Sequence, residues 1–543
     1  MYTVSEAVAR TLASNTDTFF GLMGNGNAWL VDALERLGTP MVPVRHEVAA
    51  VASADSYHRV TRKLAVATTT YGPGFTNVIT ALTDAALSHT PLVYVVGSAP
   101  AAAPRDFDID QDAMSTAAGA HVLTVGPDNT AAITQQAVDL ALETLRPVVL
   151  SIPYDLADQP VTEAGAQAPA PAQPAVRAVP VVDAALEKLV GATHPLIVAG
   201  RGARAAAADL IALAELLRAD VATTAPARGT FPTGEHRYRD LGISGGFAAE
   251  GAAREMQRAD VVLVVGAGLN QFTTSFGNAY GEHATIIQID IAETATNPRV
   301  DLFLSGNATD VIPALLDGLR SREYIAGKRQ RLETDPTARA LGEELAPDGR
   351  LDPRSLMVRL NRTIPADRLI VSDGGHFIGW ANMYFDVQGP DHLIMVGTAF
   401  QSIGLGFPSA PGVATAAGER TTVLVTGDGG GLMGIADAES FIRTAHRGVV
   451  IVVNDAAYGA EIHQYGANSR GLAEKPMLIP EINFAGMLSP LGAQGTVVRT
   501  LDDLADFEEW IASESTGTYV LDCRVSRSIV APYMNKALQK TTV

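Results

Sequence analysis

The chain has 543 residues, 47% hydrophobic and 18% charged, so it holds enough apolar material for several cores and shows no compositional sign of disorder. A net charge of −19, with Lys and Arg scattered rather than gathered in a stripe, argues against nucleic acid and anionic membrane as partners. The lone cysteine, Cys523, excludes an intrachain disulfide, and the amino terminus lacks the basic start and apolar run of a signal peptide; together these point to the cytoplasm.

Thr3 and Glu6 in "TVSE" have the spacing of a capping box, so a helix is expected to open the chain. Short apolar runs then alternate with helical patterns: "TFFGLMG", "AWLVDALERL", "PMVPVRH", "EVAAVASADSYHRV", "KLAVATTT", "TNVITALTDAAL" and "PLVYVVG". Such alternation predicts a parallel sheet with helices on both faces. Residues 159–180 are rich in Pro and Ala with little helical periodicity and read as a connection between domains. A second block follows, with strands expected at 195–200, 260–268 and 285–291. After a break at about 321–353, a third block carries "RLIVSDGG", "TTVLVTGDGG", "GVVIVVND" and "GTYVLDCRV". The expectation is an α/β chain of three doubly wound domains with mainly parallel sheets, at 1–165, 180–340 and 350–543. The most apolar window, about 392–418, is broken by glycines and prolines and is not expected to span a membrane.

In open parallel sheets, ligands settle beyond the carboxyl ends of strands. Asp428 and Asp455 both stand at such ends, 27 positions apart (455 − 428). Gly427, Gly429 and Gly430 let the backbone approach a bulky ligand, and the helix start that follows offers amides to phosphate. Two strand-end acids suit a magnesium ion completed by phosphate oxygens and water. On these residues alone, a tight turn at GDGG and a helix cap at Asp455 are equally good readings.

Gly427-Asp428-Gly429 and Asn454-Asp455, at that interval, resemble the cofactor motif of the thiamine diphosphate enzyme family. The resemblance implies that Asp428, Asp455 and the carbonyl of Ala457 hold magnesium, with Tyr458 following at the cofactor. Asp455 departs from the Asn common at that position. His46-Glu47 in "VRHEVAAVASADSYHR" and the later "TYGPGFTN" match the family's first-domain signatures. They imply that Glu47 engages the aminopyrimidine ring from a partly desolvated position, although taken alone Glu47 is an ordinary charge in a helix's first turn. In "GTAFQSIGLGFPSA", Ile403 fits the wedge that bends the cofactor, and the Gln401 carbonyl accepts from its pyrimidine amino group. Gly375 and His376 in "SDGGHFIGW" match the loop over the diphosphate, with Phe377 where many synthases carry a polar residue.

The domain order is similar to acetolactate synthase, pyruvate decarboxylase, benzoylformate decarboxylase and oxalyl-CoA decarboxylase. It implies decarboxylation of a 2-oxo acid, followed by protonation or capture by an aldehyde or ketone. Asn25, Gly26 and Tyr71 are the implied first-domain substrate contacts, with Gln111 as the glutamine of synthase pockets. Glu461 stands where decarboxylases carry an acid, and His463 follows; a solvated helix start is the alternative for both. Family members join Glu47 of one chain to the cofactor on another, so a homodimer is the minimum and a homotetramer is expected. Relatives bind FAD or ADP centrally, but Leu269-Asn270-Gln271-Phe272 departs from the flavin pattern and lowers that expectation. Two further readings are a 2-hydroxyacyl-CoA or oxalyl-CoA lyase, for which the tail offers only Lys536 and Lys540, and a cofactor-binding regulatory subunit without turnover.

Overall fold

The computed structural model describes residues 2–162, 166, 169, 170, 179–327 and 332–535. Most of the Pro/Ala-rich connection, and Lys536 and Lys540, lie outside them. The chain folds into three α/β units, each a six-stranded, all-parallel sheet flanked by helices. In the first, β1 (Phe19–Gly21), β2 (Val42–Pro43), β3 (Ala65–Thr69), β4 (Leu92–Ser98), β5 (His121–Thr124) and β6 (Val148–Pro153) lie in the order 2-1-3-4-6-5. The central sheet has β7 (Pro195–Ala199), β8 (Asp220–Thr223), β9 (Arg239–Ile243), β10 (Val261–Val265), β11 (Thr285–Asp290) and β12 (Leu302–Ser305), in the order 12-11-10-7-8-9. The third has β13 (Leu369–Ser372), β14 (Leu393–Met395), β15 (Thr421–Gly427), β16 (Arg447–Asn454), β17 (Gln494–Val498) and β18 (Gly517–Arg524), in the order 14-13-15-16-18-17.

Counted within each sheet, the first and third share one strand order, while the central sheet is a different winding. Strands such as β4, β15 and β16 are near-continuous apolar runs because helices cover both faces of a parallel sheet, leaving no solvent side to mark with polar residues. The opening helix, Val4–Ala13, has its capping box formed by Thr3 and Glu6. The apolar window at 392–418 becomes β14, a loop and the buried helix Gly406–Ala417. Among the described residues no helix is long and apolar enough to cross a membrane.

One hydrophobic cluster runs unbroken from the first domain into the third, including Phe20, Tyr94, Phe407, Phe441 and Phe484. Its bridge is a pair of helices, Glu47–Thr61 and Gly406–Ala417. They pack so closely at Gly412 that a Cβ there would run into the Ser53 carbonyl oxygen. Ser53 Oγ donates to the Pro408 carbonyl (2.8 Å) and Ser56 Oγ to that of Ser409 (2.7 Å). The central domain keeps its own buried clusters on the two faces of its sheet.

Candidate active site

β15 and β16 are neighbouring parallel strands in register to their last residues, with Gly427 beside Val453. The residues just past that edge are therefore brought side by side, and they include Asp428 and Asp455. Asp428 is the first residue of a short helix, Asp428–Met433, with Gly427 as its N-cap, so the segment is a helix start rather than a free turn. Asp455 caps no helix; the next one, Gly459–Tyr465, begins four residues on. Asn454 shapes the turn by donating to Asp522 Oδ1 (2.9 Å) and accepting from the Ala456 amide (3.2 Å), with Ala456 at φ 57°.

The pair is electrostatically uncomfortable. Burial pushes the Asp428 carboxyl up to about 7, and the nearby charge of Asp455 adds to the effect. Burial also brings Asp455 to about 6, against the pull of Arg527. Asp428 is only 3% exposed, yet its Oδ2 has no hydrogen-bond partner. An orphaned buried carboxylate oxygen beside a second acid is a site asking for a cation. Among the described residues no group of three or more His, Cys, Asp or Glu is placed to hold a metal. A metal here would draw its remaining ligands from a backbone carbonyl, phosphate and water, the donor set magnesium prefers.

A cleft of about 570 Å³, including its open mouth, lies over this edge. Of the residues expected from sequence, it brings together Gly375, His376, Ile403, Gly427, Asp428, Gly429, Gly430, Asp455, Ala457, Tyr458 and Glu461. Gln401, exposed at φ 59°, and His463 are not among its lining residues. His463 packs against His376 with ring centroids 4.5 Å apart, and its Nε2 is buried without a partner.

His376 Nε2 accepts the Ala531 amide (3.0 Å), which assigns the ring proton to Nδ1. Burial, with His463 behind it, lowers the ring to about 3, so it is a neutral donor. The Gly375–His376 loop is held from below by Tyr533, whose single hydroxyl proton is shared between the carbonyls of His376 (2.9 Å) and Gly375 (3.1 Å). Phe377 stands against Gly375 and Gly427 as an apolar wall.

Sequence reasoning missed Trp380, Val525 and Ser526, which also line the cleft. The last two follow β18, and the strand-end rule that found Asp428 applied to "CRVSRS" as well. Asp373 was missed too: fully buried behind the cleft, it accepts from the amides of Gly374 (2.7 Å) and Gly404 (3.1 Å) and from Thr426 Oγ1 (3.1 Å).

The remaining expected residues form a second cluster at the carboxyl edge of the first sheet. Glu47 begins the helix Glu47–Thr61 behind the N-cap His46, is half-buried, and accepts from Asn77 Nδ2 (2.9 Å). Asn25 donates to the Tyr71 hydroxyl (2.9 Å) and the Gly26 amide to Thr70 Oγ1 (2.9 Å). Gln111 accepts from the Gly72 amide (2.8 Å) and donates to the Gly97 carbonyl (3.0 Å), so both ends of its amide staple backbone. None of these residues lines the third-domain cleft of the same chain.

In the central domain, Gly200 and Gly202 sit against Gly266, with the Gly202 amide donating to the Gly266 carbonyl (2.9 Å). Those glycines are thus required by loop packing between β7 and β10, the point where the strand order reverses.

Three parallel α/β units, with paired buried acids at adjacent strand ends under a glycine-lined cleft, define an α/β protein whose ligand site lies at the carboxyl edge of its third sheet. Residues 2–117, 182–315 and 373–523 match, in turn, the N-terminal TPP binding domain, the central domain and the C-terminal TPP binding domain of the thiamine pyrophosphate enzymes. The chain belongs to the thiamine pyrophosphate enzyme family.

Its relatives include a sulfoacetaldehyde acetyltransferase of Castellaniella defragrans, 26% identical over 99% of this chain and 96% of that protein. The acetolactate synthase large subunit of Haemophilus influenzae is 27% identical over 92% of this chain and 90% of its own. In fold it is similar to a thiamine diphosphate-dependent 4-hydroxybenzoylformate decarboxylase of Rhodococcus jostii RHA1. The TM-score there is 0.78 at 23% identity, over 96% of this chain and 99% of that one.

Proposed function

We propose that this protein uses magnesium-bound thiamine diphosphate to decarboxylate a short 2-oxo acid, then protonates the product or joins it to an aldehyde or ketone. The observation that carries the reading is the buried Asp428–Asp455 pair with its unpartnered Asp428 Oδ2. Asp428, Asp455 and the Ala457 carbonyl would hold the ion, while the start of the helix at Gly429 and Gly430 and the Nδ1–H of His376 would face the diphosphate. When bound, the cofactor supplies the electron sink that a 2-oxo acid needs to lose carbon dioxide.

The chain's own residues do the rest. Ile403 would wedge the cofactor, and Glu47 would share a proton with its pyrimidine ring. Glu461 and His463 at or beside the cleft, with Asn25, Gly26, Tyr71 and Gln111, would frame the substrate. Because the Glu47 cluster and the cleft share no lining residue within one chain, Glu47 would serve a second copy. A homodimer is then the minimum, and the assembly we propose is a homotetramer; the compartment we propose is the cytoplasm.

The test begins with metal-stripped protein. Tryptophan emission, with Trp380 in the cleft wall, is followed as thiamine diphosphate is added with and without magnesium, with FAD and ADP titrated in parallel. Carbon dioxide release is then screened over pyruvate, glyoxylate, larger 2-oxo acids and oxalyl-CoA, each with and without aldehyde acceptors. Absence of magnesium-dependent cofactor binding overturns the proposal. Binding without release from any of these substrates favours a non-catalytic subunit.

A further inference from the structure

The loop that presents Ile403 is tightly folded. Gly397, Gln401 and Gly404 have φ of 72°, 59° and 87°, and the Ser402 amide donates back to the Gly397 carbonyl (2.8 Å). A segment so short on apolar contact needs polar anchors to keep one conformation. One anchor is Asp373, through the Gly404 amide. The other comes from a different domain. The amides of Gly397 (3.2 Å), Ala399 (3.1 Å) and Phe400 (3.0 Å) all donate to Asp84, on the first-domain helix Ile79–Leu87.

Asp84 is 1% exposed, and its Oδ2 also accepts from Arg59 Nη2 (3.1 Å). Arg59 is fixed in turn by Asp55 (2.9 Å), the Ser88 hydroxyl (2.7 Å) and the carbonyl of Met395 at the end of β14 (2.8 Å).

We propose that Asp84, held by Arg59, is a positioning residue of the cofactor site, through which the first domain sets the shape of the Gly397–Gly404 loop in its own chain. Its consequence for catalysis rests on the thiamine diphosphate reading; its structural half does not. Glu47 and Arg59 lie at opposite ends of one helix, about 18 Å apart at 1.5 Å per residue. That helix therefore offers Glu47 to one task and, through Arg59 and Asp84, braces the wedge loop for another.

A carboxylate is suited to the position because it only accepts: Oδ1 takes two amides, and Oδ2 takes one amide and a guanidinium. A carboxamide of the same shape would set its NH₂ against two of those donors whichever way it turned.

The test is Asp84→Asn in the full-length, cofactor-free protein, read by amide hydrogen exchange. Exchange at residues 397–400 should rise tenfold or more while the strands of the third sheet keep their protection. With magnesium and thiamine diphosphate added, cofactor affinity should change less than tenfold, whereas exchange of its C2 proton slows more than tenfold. Arg62→Gln, which breaks another first-to-third-domain ion pair at Asp391 (2.6 Å), should leave 397–400 as in the parent. If Asp84→Asn does not fold, Ser88→Ala, which removes one acceptor from Arg59, is read the same way for a two- to fivefold rise. Unchanged exchange at 397–400 in a folded variant, or faster exchange throughout the third sheet, overturns the inference. Should the parent bind no thiamine diphosphate, the functional proposal fails while the amide result still decides the role of Asp84.

Discussion

Replacing Asp428 with Asn should stabilise the metal-free protein while abolishing its magnesium response. The folded-state carboxyl is raised to about 7 from an ordinary value of 3.8. A raised acid costs nothing below the unfolded value, because both states are protonated. The cost grows as pH climbs from about 4 to 7, since the unfolded chain ionises first, and is complete above 7. At pH 8 the difference, which already contains the repulsion from Asp455, corresponds to a ceiling of about 4 kcal/mol, and the neutral amide removes it.

In a chelator-treated sample the Asn variant should therefore melt a few degrees above the parent at pH 8. The gap should narrow towards pH 5, and only the parent should gain stability when magnesium and thiamine diphosphate are added together. A variant that melts lower at pH 8, or a difference that ignores pH, would refute the picture of two acids held apart for a cation.

The same linkage predicts that magnesium-dependent cofactor affinity rises between pH 5 and 7, as Asp455 and then Asp428 lose their protons, and levels off above 7; calorimetric titration showing constant affinity over that range would contradict it. Glu47→Gln should retain cofactor yet slow exchange of its C2 proton by orders of magnitude, and proton NMR showing a normal rate would remove Glu47 from the mechanism. Tyr533→Phe deletes the hydroxyl proton shared between the Gly375 and His376 carbonyls and should cost about 1 kcal/mol in urea unfolding, with a several-fold weaker hold on thiamine diphosphate; unaltered affinity would mean the loop is fixed by other contacts.

What could be read from sequence was what is written locally. Asp428 and Asp455 each follow an apolar strand, and two parallel strands in register must bring such residues together. The alternation of strands and helices gave the α/β class for the same reason. The winding of the central sheet leaves no local mark, because β4-like apolar runs look alike wherever they are inserted. Three expected residues, Gln401, His463 and Gln111, were placed by motif position alone. Where their side chains lead depends on a φ of 59°, a histidine stack and two backbone staples. Asp84 had no signature at all, since an acid that binds amides 313 residues away looks in sequence like any helix-face charge, whereas Asp373 directly follows β13, where the strand-end rule applied and was not used.

The junction at Gly412 also bears on how turnover is accommodated. With a helix backbone laid directly on a serine carbonyl and two hydroxyls stitching the seam, the outer lobes of this molecule are joined by a closely fitted face. A swing of one against the other would have to part this seam and its two hydroxyl contacts, so breathing is expected first in the short segments around the rim. A single methyl group introduced at that seam would act as a pry bar on the whole frame, far from any reacting atom.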